Sequence, residues 1–154
     1  MMIAFLILNV LLISSCSSDD DQGFYSGPLK NLIEARNFTV NTPNGWKHIQ
    51  DVGYDTQVGR IYGNKDTIHY DQGHLSFGSL ENIKENDQTL SFQKLSIDGV
   101  PAIIRKEKLD GKPYHVVMAA FIDSKNNNKL NQLFTYDPKD EDLIIRIFKS
   151  HKFK

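Results

Sequence analysis

Apolar and polar residues alternate along most of this chain, which is the pattern of β-strands with one buried face. The clearest example covers residues 38–42 and stops at Pro43. Similar runs predict strands at residues 58–62, 67–70, 90–97, 100–108, 114–122 and 130–136. Short turns such as Asp98-Gly99 and Asp110-Gly111 join several of them. Because strands joined by tight turns pair antiparallel, the pattern predicts an antiparallel sheet.

Two segments instead carry apolar residues at helical spacing. Residues 28–36 place three aliphatic side chains on one side of a helix. Residues 137–151 begin with Asp137 as an N-cap and Pro138 at the first helical position, and an apolar stripe follows. An antiparallel sheet flanked by helices is an α+β arrangement. We therefore predict a single α+β domain over residues 28–154.

The first fifteen residues differ from the rest of the chain. They contain no charged residue, and they are apolar from Ile3 to Ile13 except for Asn9. A run of this length fits the apolar region of a signal peptide and is too short for a membrane-spanning helix. A core helix with a buried cysteine is the alternative, but it would show an amphipathic pattern, and none is present. We interpret residues 1–15 as an export signal that is removed.

Cys16 follows this run directly and is the only cysteine of the chain. Residues 12–16 read Leu-Ile-Ser-Ser-Cys, which resembles the bacterial lipobox. The resemblance implies that Cys16 receives a diacylglycerol and becomes the first residue of a mature lipoprotein, with fatty acids such as palmitate. Lipidation would also remove a thiol that has no partner for an intramolecular disulfide. The expected partner is therefore the membrane, contacted through the lipid anchor.

Residues 16–27 are rich in serine, aspartate and glycine, and they predict a flexible acidic tether. Residues 17–21 read Ser-Ser-Asp-Asp-Asp, which resembles the export signal of Bacteroidetes surface lipoproteins. That resemblance implies a protein on the exposed side of the cell outer membrane. A solvated spacer without a sorting role is the alternative. The two interpretations are compatible, because both need a flexible segment.

Composition excludes some classes of function. The chain has 18 basic and 19 acidic residues, and no run of lysine and arginine is interleaved with aromatic residues, so nucleic acid is not an expected partner. The sequence also lacks a nucleophile elbow, a phosphate loop and a His-Glu-x-x-His zinc motif. We predict no cofactor and no catalytic residue. The expected function is a non-catalytic module that binds an envelope protein or supports an assembly.

Three segments resemble, in order, the PsbP-like superfamily, which is named for the extrinsic photosystem II protein. They are residues 38–46 (Phe-Thr-Val-Asn-Thr-Pro-Asn-Gly-Trp), residues 97–102 (Ile-Asp-Gly-Val-Pro-Ala) and residues 147–153 (Ile-Phe-Lys-Ser-His-Lys-Phe). The resemblance implies an α/β/α sandwich around an antiparallel sheet. It implies no single function, because one fold supports many activities.

The glycine-rich segment 53–74 holds the candidate site. We expect His69 and Asp71 to share one face of a strand, because side chains alternate along a strand, and His74 to fold back just beyond it. With Asp55 they form a candidate site for a ligand or partner. An envelope hydrolase using these residues for acid–base chemistry and a metal-binding site are the alternatives. A hairpin with solvated polar side chains is the simplest interpretation.

Overall fold

The computed structural model describes residues 24–73, 79–123 and 129–154. The predicted export signal and Cys16 lie outside the described residues. The strands are β1 (Asn31–Glu34), β2 (Phe38–Thr42), β3 (Lys47–Gln50), β4 (Gln57–Tyr62), β5 (Thr67–Gly73), β6 (Thr89–Ile97), β7 (Val100–Lys108), β8 (His115–Asp123), β9 (Lys129–Tyr136) and β10 (Lys152–Phe153). A short 3-10 helix (Leu80–Asn82) precedes β6, and the α-helix α1 (Glu141–Lys149) precedes β10.

These strands form two sheets. The larger sheet has seven strands in the order β3-β4-β5-β9-β8-β7-β6, and the smaller has three in the order β1-β2-β10. Every pairing is antiparallel, as the sequence predicts. In the turn between β6 and β7, Asp98 and Gly99 have φ angles of 52° and 78°. This left-handed backbone is what tight hairpin turns require.

The predicted α+β fold is wrong, because the architecture is mainly β: strands hold 52% of the described residues and helices hold 10%. Residues 28–36 contain β1 instead of a helix. Ile33 is buried opposite Val40 of β2, whereas Leu32 points outward and is 54% exposed. Over so short a segment, apolar spacing does not separate a helix from a strand. A three-stranded sheet therefore lies where the first predicted helix was expected. The α/β/α sandwich implied by the PsbP-like resemblance is wrong as well.

The second predicted helix is confirmed as α1, but it starts later than predicted. Its N-cap is Asp140, whose carboxylate accepts a hydrogen bond from the Leu143 N–H at 2.9 Å. Asp137 has a φ of 44° and belongs to the turn after β9. α1 is nine residues long. Within the described ranges, no helix is long and apolar enough to cross a membrane.

The main core lies between the seven-stranded sheet on one side and α1 with the three-stranded sheet on the other. We call the sheet face that contacts this core the inner face. Ile68, Tyr70 and Leu133 lie on it and are at most 2% exposed. Tyr70 crosses over Gly59, where an added Cβ would lie 2.4 Å from the tyrosine hydroxyl. The missing side chain lets Tyr70 reach His48 on β3, with 2.9 Å between the hydroxyl and Nε2.

The opposite face of the same sheet is the outer face. The segment around the 3-10 helix covers its β6–β7 end, where Ile83 packs with Ile103 in a second, smaller core. Toward β4 and β5 the outer face carries Arg60, His69 and Phe134, which lie in register on neighbouring strands. These three side chains are exposed or half-buried. One end of the outer face is therefore covered, and the other end is open to solvent.

Candidate functional site

The hairpin of β4 and β5 positions the predicted site residues. His69 and Asp71 both lie on the outer face, as their spacing predicts. Asp55 is exposed in the loop before β4. The strand pairing begins at Gln57, so the sheet does not hold Asp55 in place. His74 lies outside the described residues.

The described geometry gives the catalytic and metal-binding alternatives no support. No group of three or more His, Cys, Asp or Glu side chains in the described ranges could hold a metal ion. His69 stacks on the ring of Phe134, with 5.4 Å between the ring centroids and 19° between the ring planes. The hydrolase hypothesis depends on Asp55, which lies in an exposed loop. The contact with Phe134 instead places His69 in an aromatic environment.

Two tyrosines extend this environment. Tyr136 lies edge-on to His69 and to Phe134, with centroid distances of 6.1 and 5.7 Å. Tyr114 lies edge-on to Tyr136 at 6.3 Å. Aromatic rings prefer such edge-to-face contacts. We call His69, Tyr114, Phe134 and Tyr136 the outer-face aromatic cluster.

The sheet order brings the outer-face aromatic cluster together. His69 pairs directly with Phe134, and Tyr136 follows two residues later on the same face of β9. β8 pairs Val116 with Tyr136, so Tyr114, just before β8, reaches the same ring. The alternation in β9 places two aromatic residues on one face, and that is the available sequence signal. It does not reveal that β9 pairs with β5, because those strands are distant in the chain.

The outer-face aromatic cluster is partly open and electrically neutral. Tyr136 is 50% exposed and Tyr114 is 36% exposed. Beside the cluster, Arg60 forms a two-fold hydrogen-bonded ion pair with Asp51 at 2.9 and 3.1 Å. Burial and the positive charge of Arg60 lower the pKa of His69, so its ring is neutral at pH 7. The arrangement suits the binding of apolar or aromatic groups.

A group of ionisable residues that the sequence does not single out lies at the start of α1. Lys106 Nζ lies 2.6 Å from Glu141 Oε2, and His115 Nε2 lies 3.4 Å from the same oxygen. His115 Nδ1 lies 3.8 Å from an oxygen of Asp137. These contacts connect β7 and β8 to the first turn of α1. Glu141 is in the first turn of α1, near the positive end of the helix dipole, where negative charge stabilises the helix.

Among the histidines that the structure describes, His151 is the most buried. Its ring lies nearly parallel to Phe121 at 3.9 Å and to Phe38 at 5.2 Å. Burial lowers the pKa of His151 to about 3. Its neutral ring accepts a hydrogen bond at Nε2 from the Asn131 amide, over 2.9 Å. His151 is 1% exposed, so it supports the core and is closed to ligands.

Comparisons with known proteins assign the chain to no family. No family model and no curated protein matches it. A protein of Bacteroides thetaiotaomicron VPI-5482, known from a crystal structure at 1.50 Å, is similar with a TM-score of 0.48 and 16% sequence identity. The match covers 76% of this chain and 45% of that chain, so it spans less than half of that protein. The PsbP-like resemblance stays a prediction.

Proposed function

We propose that the protein is a cell-envelope lipoprotein, held in the outer membrane by lipid on Cys16, whose domain is a non-catalytic module that binds an envelope protein. The outer-face aromatic cluster is its binding surface. One observation supports this proposal most directly. The half-exposed ring of Tyr136 contacts the rings of His69 and Phe134 on the open part of the sheet.

The physical properties of Tyr136 favour binding. Tyrosine offers a large contact area with few rotatable bonds, and it is enriched among the residues that dominate binding energy. Its contacts with neighbouring rings hold its orientation before a partner arrives. A ring that is already ordered loses little conformational entropy on binding. Its hydroxyl can also form a hydrogen bond with the partner.

Contacts at the start of the described chain support a short tether. Arg146 donates hydrogen bonds to the carbonyl oxygens of Tyr25 and Gly27, at 2.8 and 2.6 Å. Asp140 accepts a hydrogen bond from the Tyr25 N–H. These bonds fasten the end of the tether to α1. About eight residues then separate the fastened part from Cys16, and they span at most roughly 29 Å. A lipid on Cys16 would keep the module close to the membrane.

Replacement of one ring tests the binding surface. The mature chain without its export signal and its lipidated cysteine (residues 17–154) should bind saturably to immobilised outer-membrane vesicles from cells that lack the gene. Tyr136→Ser should weaken this binding at least about tenfold, which corresponds to about 1.4 kcal/mol. Tyr54→Ser is the matched control, because Tyr54 is fully exposed and lies outside the cluster. Protease treatment of the vesicles should abolish the binding. Equal binding by the two tyrosine variants would contradict the proposal.

Replacement of the cysteine tests the anchor. In the otherwise unchanged precursor, Cys16→Ala should prevent labelling by a palmitate analogue and leave the export signal attached. Mass spectrometry of the purified protein would show both effects. A processed, membrane-bound Cys16→Ala protein would contradict lipidation at this residue.

Replacement of the acidic run tests surface display. Changing Asp19, Asp20 and Asp21 to alanine should preserve lipidation and move the protein to the periplasmic face of the outer membrane. Protease treatment of whole cells should then digest the wild-type protein and spare the variant. Equal digestion of the two would reduce the acidic run to a spacer.

A further inference from the structure

β6 forms one edge of the seven-stranded sheet. It pairs with β7 on one side, and no described strand pairs with its other side. Its register shifts between Thr89 and Ser91, and the pairing is regular from there to Ile97. An edge strand presents a row of backbone N–H and C=O groups with which another extended chain can pair. Residues 91–97 offer such a row.

A shallow groove of about 470 Å³ adjoins β6 on the outer face. Ile83 and Phe92 provide its apolar part. Its charged lining residues are Glu81, Lys84, Glu85 and Lys94. Phe92 and Lys94 both belong to β6 and point to the same face, and Lys94 Nζ lies 5.9 Å from the centroid of the Phe92 ring. The edge of β6 that pairs with no described strand and the groove therefore lie side by side.

We propose that β6 binds an extended peptide segment of a partner protein, which joins the sheet as an additional antiparallel strand. In such complexes backbone hydrogen bonds provide affinity, and alternate side chains provide specificity. Here an apolar partner residue enters the groove opposite Phe92, and an acidic residue lies opposite Lys94. Because antiparallel pairing reverses the order, the recognised pattern reads acidic-x-apolar from the N-terminus.

The charges favour a peptide of this kind over a second copy of the chain. Two β6 strands paired antiparallel about the middle of residues 91–97 would place Lys94 opposite the same lysine of the second copy. Like charges directly opposite each other destabilise a strand pair. The wall facing β6 carries two glutamates, Glu81 and Glu85, and one lysine, Lys84. The two glutamates disfavour a run of acidic residues, whereas Lys94 on β6 favours a single one.

The site is separate from the outer-face aromatic cluster. β7 and β8 lie between β6 and β9, which carries Phe134 and Tyr136. Peptide binding by β6 is therefore independent of the role of the outer-face aromatic cluster. Its test uses different residues and a different probe.

Synthetic peptides test the side-chain pattern. The probes are fluorescein-labelled Thr-Thr-Glu-Thr-Leu-Thr-Thr and its counterpart with lysine in place of glutamate. Binding to the lipid-free mature chain (residues 17–154) is measured by fluorescence anisotropy. The glutamate peptide should bind about tenfold more tightly than the lysine peptide. Lys94→Glu should reverse that preference. Reversal requires a folded protein, so it distinguishes lost recognition from lost folding.

Backbone methylation of the same peptide tests strand pairing. Alternate N–H groups of an added strand point toward β6 and away from it. N-methylation at one set of positions should abolish binding, and methylation at the intervening positions should leave it unchanged. Equal effects at all positions, equal affinity of both peptides, or no binding up to about 1 mM would overturn the proposal. A dimer of the chain in analytical ultracentrifugation that the peptide does not dissociate would also overturn the proposal, because a second copy of the chain would then occupy the edge of β6.

Discussion

His151 and His69 both stack on phenylalanine rings, but they lie on opposite faces of the same sheet. His151, on the inner side, is 1% exposed and lies 3.9 Å from Phe121. His69, on the outer face, is half-buried and lies 5.4 Å from Phe134. We call Phe38, Phe121 and His151 the inner aromatic cluster. α1 and the three-stranded sheet close this cluster off from solvent, whereas the outer-face aromatic cluster leaves Tyr136 half-exposed. Core packing accounts for the aromatic contacts of His151. The outer-face aromatic cluster keeps exposed aromatic surface that is available to a partner.

The two faces should therefore respond differently to the same substitution. Phe121→Ala removes a fully buried ring and should lower the free energy of unfolding by about 3–5 kcal/mol. Phe134→Ala removes a half-buried ring from an open surface, and its effect should be nearer about 1 kcal/mol. Urea unfolding followed by Trp46 fluorescence would measure both values. Equal losses would mean that the outer-face aromatic cluster contributes as much to folding as the inner aromatic cluster.

Acid should destabilise the folded protein through His151, which belongs to the inner aromatic cluster. Its pKa is about 3 in the folded protein, against about 6.5 in the unfolded chain. Between these values the unfolded state binds a proton that the folded state does not, so the free energy of unfolding falls as the pH falls. From pH 7 to pH 5 this residue should account for a loss of about 2 kcal/mol.

His151→Gln provides the control for this pH effect, since glutamine does not titrate. The variant should be less stable at pH 7, because the ring stacking is lost, but its stability should fall by about 2 kcal/mol less between pH 7 and pH 5. Urea unfolding at several pH values would give the comparison. Parallel curves for wild type and variant would show that His151 does not bind a proton on unfolding.

The smallest effect on stability is expected at the outer face. Tyr136→Ser removes a ring that is half-exposed, and the free energy of unfolding should change by no more than about 0.5 kcal/mol. Thermal unfolding of the same protein used for vesicle binding would measure it. A loss above about 2 kcal/mol would show that Tyr136 is needed for folding, and weakened binding by this variant would then have a structural cause.

Alternation of residue types was sufficient to predict local structure where a strand has one buried face. Phe38–Thr42 and Val100–Lys108 have the predicted bounds. The prediction failed at residues 28–36, where a short apolar run fits a helix or a strand equally well and only its pairing with β2 decides. It also misplaced the cap of α1, because Asp137 and Asp140 are both good caps by residue type.

The candidate site was less predictable because it depends on long-range pairing. The shared face of His69 and Asp71 follows from their spacing. Phe134 and Tyr136 reach His69 only because β9 enters the sheet beside β5, and no local pattern encodes that order. Asp55 is near these residues in sequence, yet it lies in a loop before β4 that the strand pairing does not hold.

Hydroxyl-radical footprinting of the intact lipoprotein on living cells would test the proposed binding surface most directly. Oxidation of each tyrosine is compared between protein on cells and purified protein, and the fully exposed Tyr54 serves as the internal reference. We predict that Tyr136 and Tyr114 become protected on cells while Tyr54 reacts equally in both samples. Equal oxidation of all three tyrosines in both samples would contradict the claim that the outer-face aromatic cluster binds a partner in the envelope.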